Sequence, residues 1–138
     1  MKIHFKRLTP ADAALLVQHP ANWLPPYPPE TLEPFLSEKD HYAFIGHTDT
    51  QVVAFLYGYA LPRPDGRYMF YIHAVDVAPD FQGCGVGSSL MEFVLGELRK
   101  ENRIYKFFLL AQKENSQACG LYRKFSSGEE QMLFTGEI

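Results

Sequence analysis

Three glycines in five residues, Gly83, Gly85 and Gly87, carry the first chemical signal in this chain. They lie between Tyr71–Val77, rich in aromatic and β-branched residues, and a stretch with Val86, Leu90, Val94 and Leu98 at roughly helical spacing. The first stretch predicts a strand closed by Ala78-Pro79, because proline cannot donate to a following ladder. The second predicts a helix with Glu92, Glu97 and Lys100 on its surface. Glycines at such a junction let the backbone approach a ligand closely, and the first helical turn offers unpaired N–H groups and a positive dipole end. Strand, glycine turn and helix together read as a cradle for an anion, most simply a phosphate.

Three phosphate cradles compete for the stretch. A P-loop needs Gly-Lys-Ser/Thr opening the helix, and Ser88 has no lysine before it. A dinucleotide fingerprint would use Gly83 and Gly85, but its third glycine falls on Ser88, and 138 residues leave little room for a full doubly wound sheet. The third pattern, Gln/Arg-x-x-Gly-x-Gly/Ala, is met by Gln82, Gly85 and Gly87. It resembles the acyl-CoA pyrophosphate loop of the GNAT superfamily of N-acetyltransferases.

The resemblance has two further parts. It implies that the strand before the loop parts from its neighbour, so that the pantetheine arm of CoA bonds to backbone groups of Val75, Asp76 and Val77 as an added strand. The pyrophosphate contacts then fall on Gln82, Gly83, Cys84, Gly85, Val86 and Gly87. Asn115-Ser116-Gln117-Ala118-Cys119-Gly120-Leu121-Tyr122 is similar to the family's Asn-x-x-Ala-x-x-Leu-Tyr helix. That similarity implies that Asn115 contacts CoA and that Tyr122 faces the thioester sulfur, where a phenol can protonate the departing thiolate. Acetyl-CoA is thus the expected co-substrate and no metal is expected. Taken without these companions, Tyr122 reads as a core aromatic on an apolar helix face.

An amine acceptor brings a second requirement. With a pKa of about 10, roughly one molecule in a thousand is neutral at pH 7, so a base must take its proton. Strand alternation predicts Tyr71, His73, Val75 and Val77 on one face. Tyr71-Ile72-His73-Ala74-Val75 is similar to the His-Leu-His-Ala-Leu of arylalkylamine N-acetyltransferases, which places His73 on a catalytic histidine position and Tyr71 on its partner. Histidine as a residue type suits the base role near neutrality. Over about Phe55 to Phe134 the chain resembles the aminoglycoside 3-N-acetyltransferases, whose Tyr-Ile-Tyr-Asp-Leu-Ala-Val looks like Tyr71 to Val77. Ala74 stands where those proteins carry an aspartate, and Ser126 replaces their glycine after the helix. An acid that could meet a polycationic sugar is missing at that position.

The elements that must position these residues follow in order. Ile3 to Leu8 predicts a first strand, and Thr9-Pro10-Ala11-Asp12 the start of a helix running to Val17 and stopped by His19-Pro20. Trp23-Leu24-Pro25-Pro26-Tyr27-Pro28-Pro29 is a stiff aromatic loop, read either as rings packed on the core or as a wall over an acceptor site. A short helix carrying Leu32, Phe35 and Leu36 follows. Tyr42 to His47 and Val52 to Leu61 predict two strands, and Arg63-Pro64-Asp65-Gly66 a turn. After the glycine-rich helix, Ile104 to Ala111 predicts a central buried strand, Asn115 the cap of a last helix, and Glu129 to Ile138 a last strand. The expected order is β-α-α-β-β-β-α-β-α-β: a single α/β (α+β) domain over residues 1–138, with a central mixed, mostly antiparallel sheet flanked by helices. This order resembles the GNAT fold. Only thirteen residues follow Phe125, where the family fits two strands, so a terminal strand is expected to be absent, shortened or supplied by a second subunit in a homodimer.

Composition bounds the function. Apolar residues make up 46% of the chain and the net charge is −3, which argues against nucleic acid as the main partner. No run approaches a membrane span. The two cysteines, Cys84 and Cys119, have no metal-ligand spacing with the five histidines and read as free thiols of a cytoplasmic protein. The expected activity is N-acetyl transfer from acetyl-CoA to a primary amine of a small molecule. A CoA-binding sensor or interaction module without turnover is the alternative, and a dinucleotide-binding fragment, which would prefer NAD to CoA, is a third.

Overall fold

A computed structural model describes residues 2–138 of the chain. Five strands form one sheet in the order β1 (His4–Arg7), β2 (His41–His47), β3 (Val52–Pro62), β4 (Tyr68–Val77) and β5 (Ile104–Leu109). The first three pairings are antiparallel, and β4 with β5 is parallel. A parallel pair needs a crossover, which α3 (Val86–Glu101) supplies.

The two faces of the sheet bury separate cores. On one, Phe44, Leu56, Phe70 and Ile72 meet Val86, Leu90, Met91 and Val94 of α3. On the other, Ile45, Val52 and Phe55 pack under Leu16 of α1 (Leu15–Gln18) and Leu32 and Leu36 of α2 (Pro29–Ser37). Trp23, Leu24 and Tyr27 also pack against this second core, so the aromatic loop does put its rings on the core. At the far end of α3 a polar clamp holds the crossover to β2: Arg103 donates to Asp40 and Glu101, each at 3.1 Å, and to the Tyr42 oxygen at 2.6 Å, while the Tyr42 hydroxyl donates to Glu101 at 2.6 Å.

Four expectations need correction. The single helix from Thr9 to Val17 is a 3-10 turn at Pro10–Asp12 followed by the four-residue α1. Here Asp12 turns back to accept the Thr9 N–H at 2.8 Å and Lys6 at 2.8 Å, closing the turn early. The strand β5 is at the sheet edge, not its centre, and Tyr105 and Lys106 are exposed on it. Residues Glu129 to Ile138 form no strand, and Met132, Leu133 and Phe134 lie 71–82% exposed. A strand needs a partner edge, and this segment bonds to none.

The fourth correction concerns β4. Its register jumps from Tyr57↔Ala74 to Gly58↔Ile72, leaving His73 as an extra residue. Such a bulge interrupts alternation. Tyr71 and His73 stay on one face with Tyr57 and Tyr59, whereas Val75 and Val77 turn to the α3 face with Phe70 and Ile72.

Candidate active site

The pairing of β4 with β5 ends at Ile72↔Leu109, and β4 runs on to Val77 without a neighbour on that side. The strand β5 is paired through its last residue, Leu109, so β4 outruns it and Val75 to Val77 lie on an edge with no strand beside it among the described residues. The N–H of Ala78 bonds back to Val53 of β3 at 2.8 Å. Because the backbone of an antiparallel strand alternates between its two edges, Asp76 also bonds toward β3, and Val75 and Val77 present their N–H and C=O groups to the opening. Of the three positions expected to offer backbone to a pantetheine arm, two face the gap. Asp76 contributes a side chain instead.

The glycine turn closes the bottom of this opening. Gly83 has φ 75° and Gly85 φ 85°, a left-handed region where side chains are disfavoured. Gly85 is the cap of α3, and no side chain satisfies the first turn. Among the described residues no acceptor takes the N–H groups of Gly83 to Ser88. Gln82 donates its side-chain amide to the Val77 carbonyl at 3.0 Å, tying the loop to the end of β4, and Cys84 is exposed. A methyl group on Gly87 would sit 3.2 Å from Leu121 and 3.7 Å from Val77, so this glycine lets α4 (Ser116–Arg123) dock against the loop. Lys124, just past α4, donates to Ser88 at 3.0 Å. It brings a cation to the first turn of α3. These groups fit a pyrophosphate: open N–H donors, a positive helix end and one ammonium.

Asn115 caps α4, its side-chain oxygen accepting from Ala118 N–H at 3.0 Å, which leaves its NH2 group without a protein partner among the described residues. Tyr122 is half-buried, and its hydroxyl bonds to no protein group among the described residues. Burial first, then the charge of Asp76, pushes its phenol above the ordinary tyrosine range, so it stays protonated. Burial likewise raises the carboxyl of Asp76. Among the described residues no side chain donates to that carboxyl, and its charge is felt by Tyr27, Tyr57 and Tyr122 together.

His73 is exposed on the β2–β3 side of the opening, its ring 4.9 Å from Tyr57 and 5.3 Å from Tyr71. Tyr71 stacks on Phe108 at 5.0 Å. Sequence reasoning missed three contributions here: Lys124, the Asp76 side chain, and Tyr57 and Tyr59 on β3. The last pair was visible as the Phe55-x-Tyr57-x-Tyr59 alternation, which puts three rings on one face. The aromatic loop reaches this row through Tyr27, 5.3 Å from Phe55 and 6.2 Å from Tyr57. A cavity of about 370 Å³ lies behind it, lined by Leu16, Val17, Leu24 and Tyr27 but by no residue of β4 or the glycine turn.

Similar folds carry related names. An aminoglycoside acetyltransferase from an uncultured soil metagenomic sample superimposes with a TM-score of 0.87 at 22% identity, covering 100% of this chain and 99% of that one. A second from such a sample, in complex with sisomicin, gives 0.81 at 21% identity over 99% and 95%. AAC(6')-Iy bound to a bisubstrate analogue, CoA-S-monomethyl-acetylneamine, gives 0.78 at 15% identity over 100% and 99%. Among curated protein sequences none matches this chain. The sequence itself matches the acetyltransferase (GNAT) family over residues 11–126, which spans the aromatic loop, the unpaired β4 edge, the glycine turn and α4, and the chain belongs to that family.

Proposed function

We propose that this chain transfers an acetyl group from acetyl-CoA to a primary amine of a small molecule by direct attack. The observation that carries the proposal is the edge of β4 left unpaired beyond Ile72, next to a glycine turn whose N–H groups take no acceptor among the described residues, with α4 docked against that turn through Leu121 and bringing Tyr122 to it. In this reading the N–H groups of Gly83 to Ser88, with Lys124, hold the pyrophosphate. Val75 and Val77 bond the pantetheine amides, and Asn115 adds a donor. The neighbour crystallised with a CoA bisubstrate analogue supports the donor assignment.

Acetyl-CoA supplies an activated carbonyl and a thiolate leaving group. The amine nitrogen bonds to the carbonyl carbon as the carbon–sulfur bond breaks. His73, or a water held between His73 and Tyr71, takes the amine proton. Tyr122 gives its proton to sulfur, help typically worth about 10²–10⁴ in rate. With only the β4 side of β5 paired among the described residues and the apolar tail exposed, the working form in this reading is a homodimer.

The decisive test is an assay for CoA thiol release across an amine panel, with acetyl-CoA binding measured by calorimetry. Turnover of any primary amine with stoichiometric N-acetyl product supports the proposal. Tight acetyl-CoA binding with no turnover on every amine would replace it with a CoA-binding module.

A further inference from the structure

The far edge of the sheet, away from β4 and β5, holds two imidazoles side by side. His4 opens β1 and stands directly opposite His47, the last residue of β2, in the antiparallel register. Their ring centres are 5.5 Å apart and the rings are tilted by 31°. Facing residues on neighbouring strands meet this way in ordinary packing, but the surroundings of His47 do more than pack it. The register of β2 against β3 shifts between Gly46 and His47, and such a bulge re-aims the side chain it carries. His47 Nδ1 lies 3.0 Å from the Thr48 carbonyl oxygen. A carbonyl only accepts, so Nδ1 carries the hydrogen and, in the neutral ring, Nε2 keeps its lone pair. Thr48 is itself fixed. It is buried, its N–H bonds to Gln51 at 2.9 Å, and its hydroxyl takes the N–H groups of Thr50 and Gln51 at 3.3 and 3.2 Å.

We propose that His4 and His47 form a surface site for one divalent late transition metal ion (nickel, copper or zinc), held by one nitrogen of each ring and completed by water. Imidazole suits those ions, whereas magnesium and calcium take oxygen. Two imidazole nitrogens each about 2.0–2.1 Å from one ion put their ring centres roughly 5 Å apart. A small turn of the exposed His4 side chain reaches that separation. The bond from His47 Nδ1 to a backbone carbonyl is the support by which metal-binding histidines fix their tautomer and orientation. Among the described residues no third His, Cys, Asp or Glu joins the pair, so water fills the remaining positions and the ion exchanges with solvent. Bound there, the ion clips the four-residue β1, which pairs with β2 alone, to the rest of the sheet. The site does not depend on the transfer reaction.

The experiment is calorimetric titration of the whole chain, free of any added histidine tag, with NiCl2 in a buffer that does not bind metal. Nickel is the probe because the thiols of Cys84 and Cys119 would draw softer ions. Wild type should take one ion. His4→Ala and His47→Ala should each bind at least about tenfold more weakly, since loss of even a supporting bond to a metal ligand costs that much. The double variant should be hardly weaker than either single one, because the first removal already breaks the chelate. Saturating nickel should raise the melting temperature of wild type, as a ligand of the folded form does, and leave the double variant unmoved. Nitrogen-detected NMR of the metal-free protein should show neutral His47 with its hydrogen on Nδ1. Single variants that bind nickel as tightly as wild type, a wild type that takes none at millimolar nickel, or a His47 with its hydrogen on Nε2 would each overturn the proposal.

Discussion

A methyl group built on Gly58 would lie 2.2 Å from the carbonyl oxygen of Tyr71 and 2.9 Å from the Phe70 ring. Gly58 is the residue beside which β4 carries its extra His73. The close approach and the bulge thus occur together. They turn Val75 and Val77 toward α3 while leaving Tyr71, His73 and Asp76 on the aromatic side.

Gly58→Ala should therefore cost more than a usual strand substitution, about 1–3 kcal/mol of overpacking, because the clash is with backbone. The variant should also bind acetyl-CoA less well, since the opening above the bulge shifts with it. Urea denaturation and calorimetry read the two effects. A loss below about 0.5 kcal/mol, the range of neutral surface changes, would show that the bulge does not depend on this glycine.

Much of this arrangement was legible from residue types. The glycine turn, the Asn115 cap and the order of elements as far as α4 follow from local chemistry: proline and glycine punctuation, apolar spacing and a side chain able to cap. What failed was non-local. Alternation through Tyr71, His73, Val75 and Val77 assumed an unbroken strand, and the bulge that breaks it lies opposite Gly58 of the neighbouring strand, out of reach of the local pattern. The apolar run at Ile104 suggested a central strand, but centrality depends on a further strand pairing with β5, and Glu129 to Ile138 does not provide one within the chain. Asp76 looked like backbone only because its register against β3 cannot be read from its own neighbours.

The raised carboxyl of Asp76 has a consequence for stability. Burial lifts its folded pKa above the unfolded value, so the charged form disfavours the fold. The penalty is absent below the unfolded pKa, about 3.9 for aspartate, and grows as pH rises through the folded pKa. Asp76→Asn should melt higher than wild type at pH 7 and lose that advantage as the pH falls toward 4. Scanning calorimetry across that window checks the sign. A variant less stable than wild type at pH 7 would show that the carboxylate is paired in solution.

Lys124 reaches Ser88 from the end of α4, and a cation at the first turn of α3 adds to the N–H donors there. Lys124→Met should weaken acetyl-CoA by a few-fold to about tenfold, and the difference should shrink at high salt as the ammonium is screened. Free-protein stability should hardly change, because the side chain is exposed. Equal affinities at low ionic strength would remove Lys124 from the phosphate site.

Among the described residues the outer edge of β5 has no strand beside it, and Met132, Leu133 and Phe134 stand exposed in the tail. Unpaired edges and contiguous apolar side chains favour association. Light scattering of the whole chain at micromolar concentration should give a dimer mass, and truncation after Gly128 a monomer. A monomeric full-length chain would contradict the dimer, and a dimeric truncated chain would move its interface away from the tail.

Tyr122 separates an acetyltransferase that turns over from a protein that only holds CoA. An acid protonating the departing thiolate contributes to the transition state much more than to the ground state. The phenol is suited to this, because burial and the Asp76 charge keep it protonated. Tyr122→Phe removes only the hydroxyl, which bonds to no protein group among the described residues, and keeps the ring, so stability should change little. If the hydroxyl acts as the acid, kcat should fall about tenfold or more at equal acetyl-CoA affinity, at least about 1.4 kcal/mol of transition-state stabilisation. The measurement is steady-state thiol release by both proteins on the best amine, with binding determined in parallel and chemistry shown to be rate-limiting by single-turnover kinetics. An unchanged kcat under those conditions would leave Tyr122 as a packing residue and hand the proton to water.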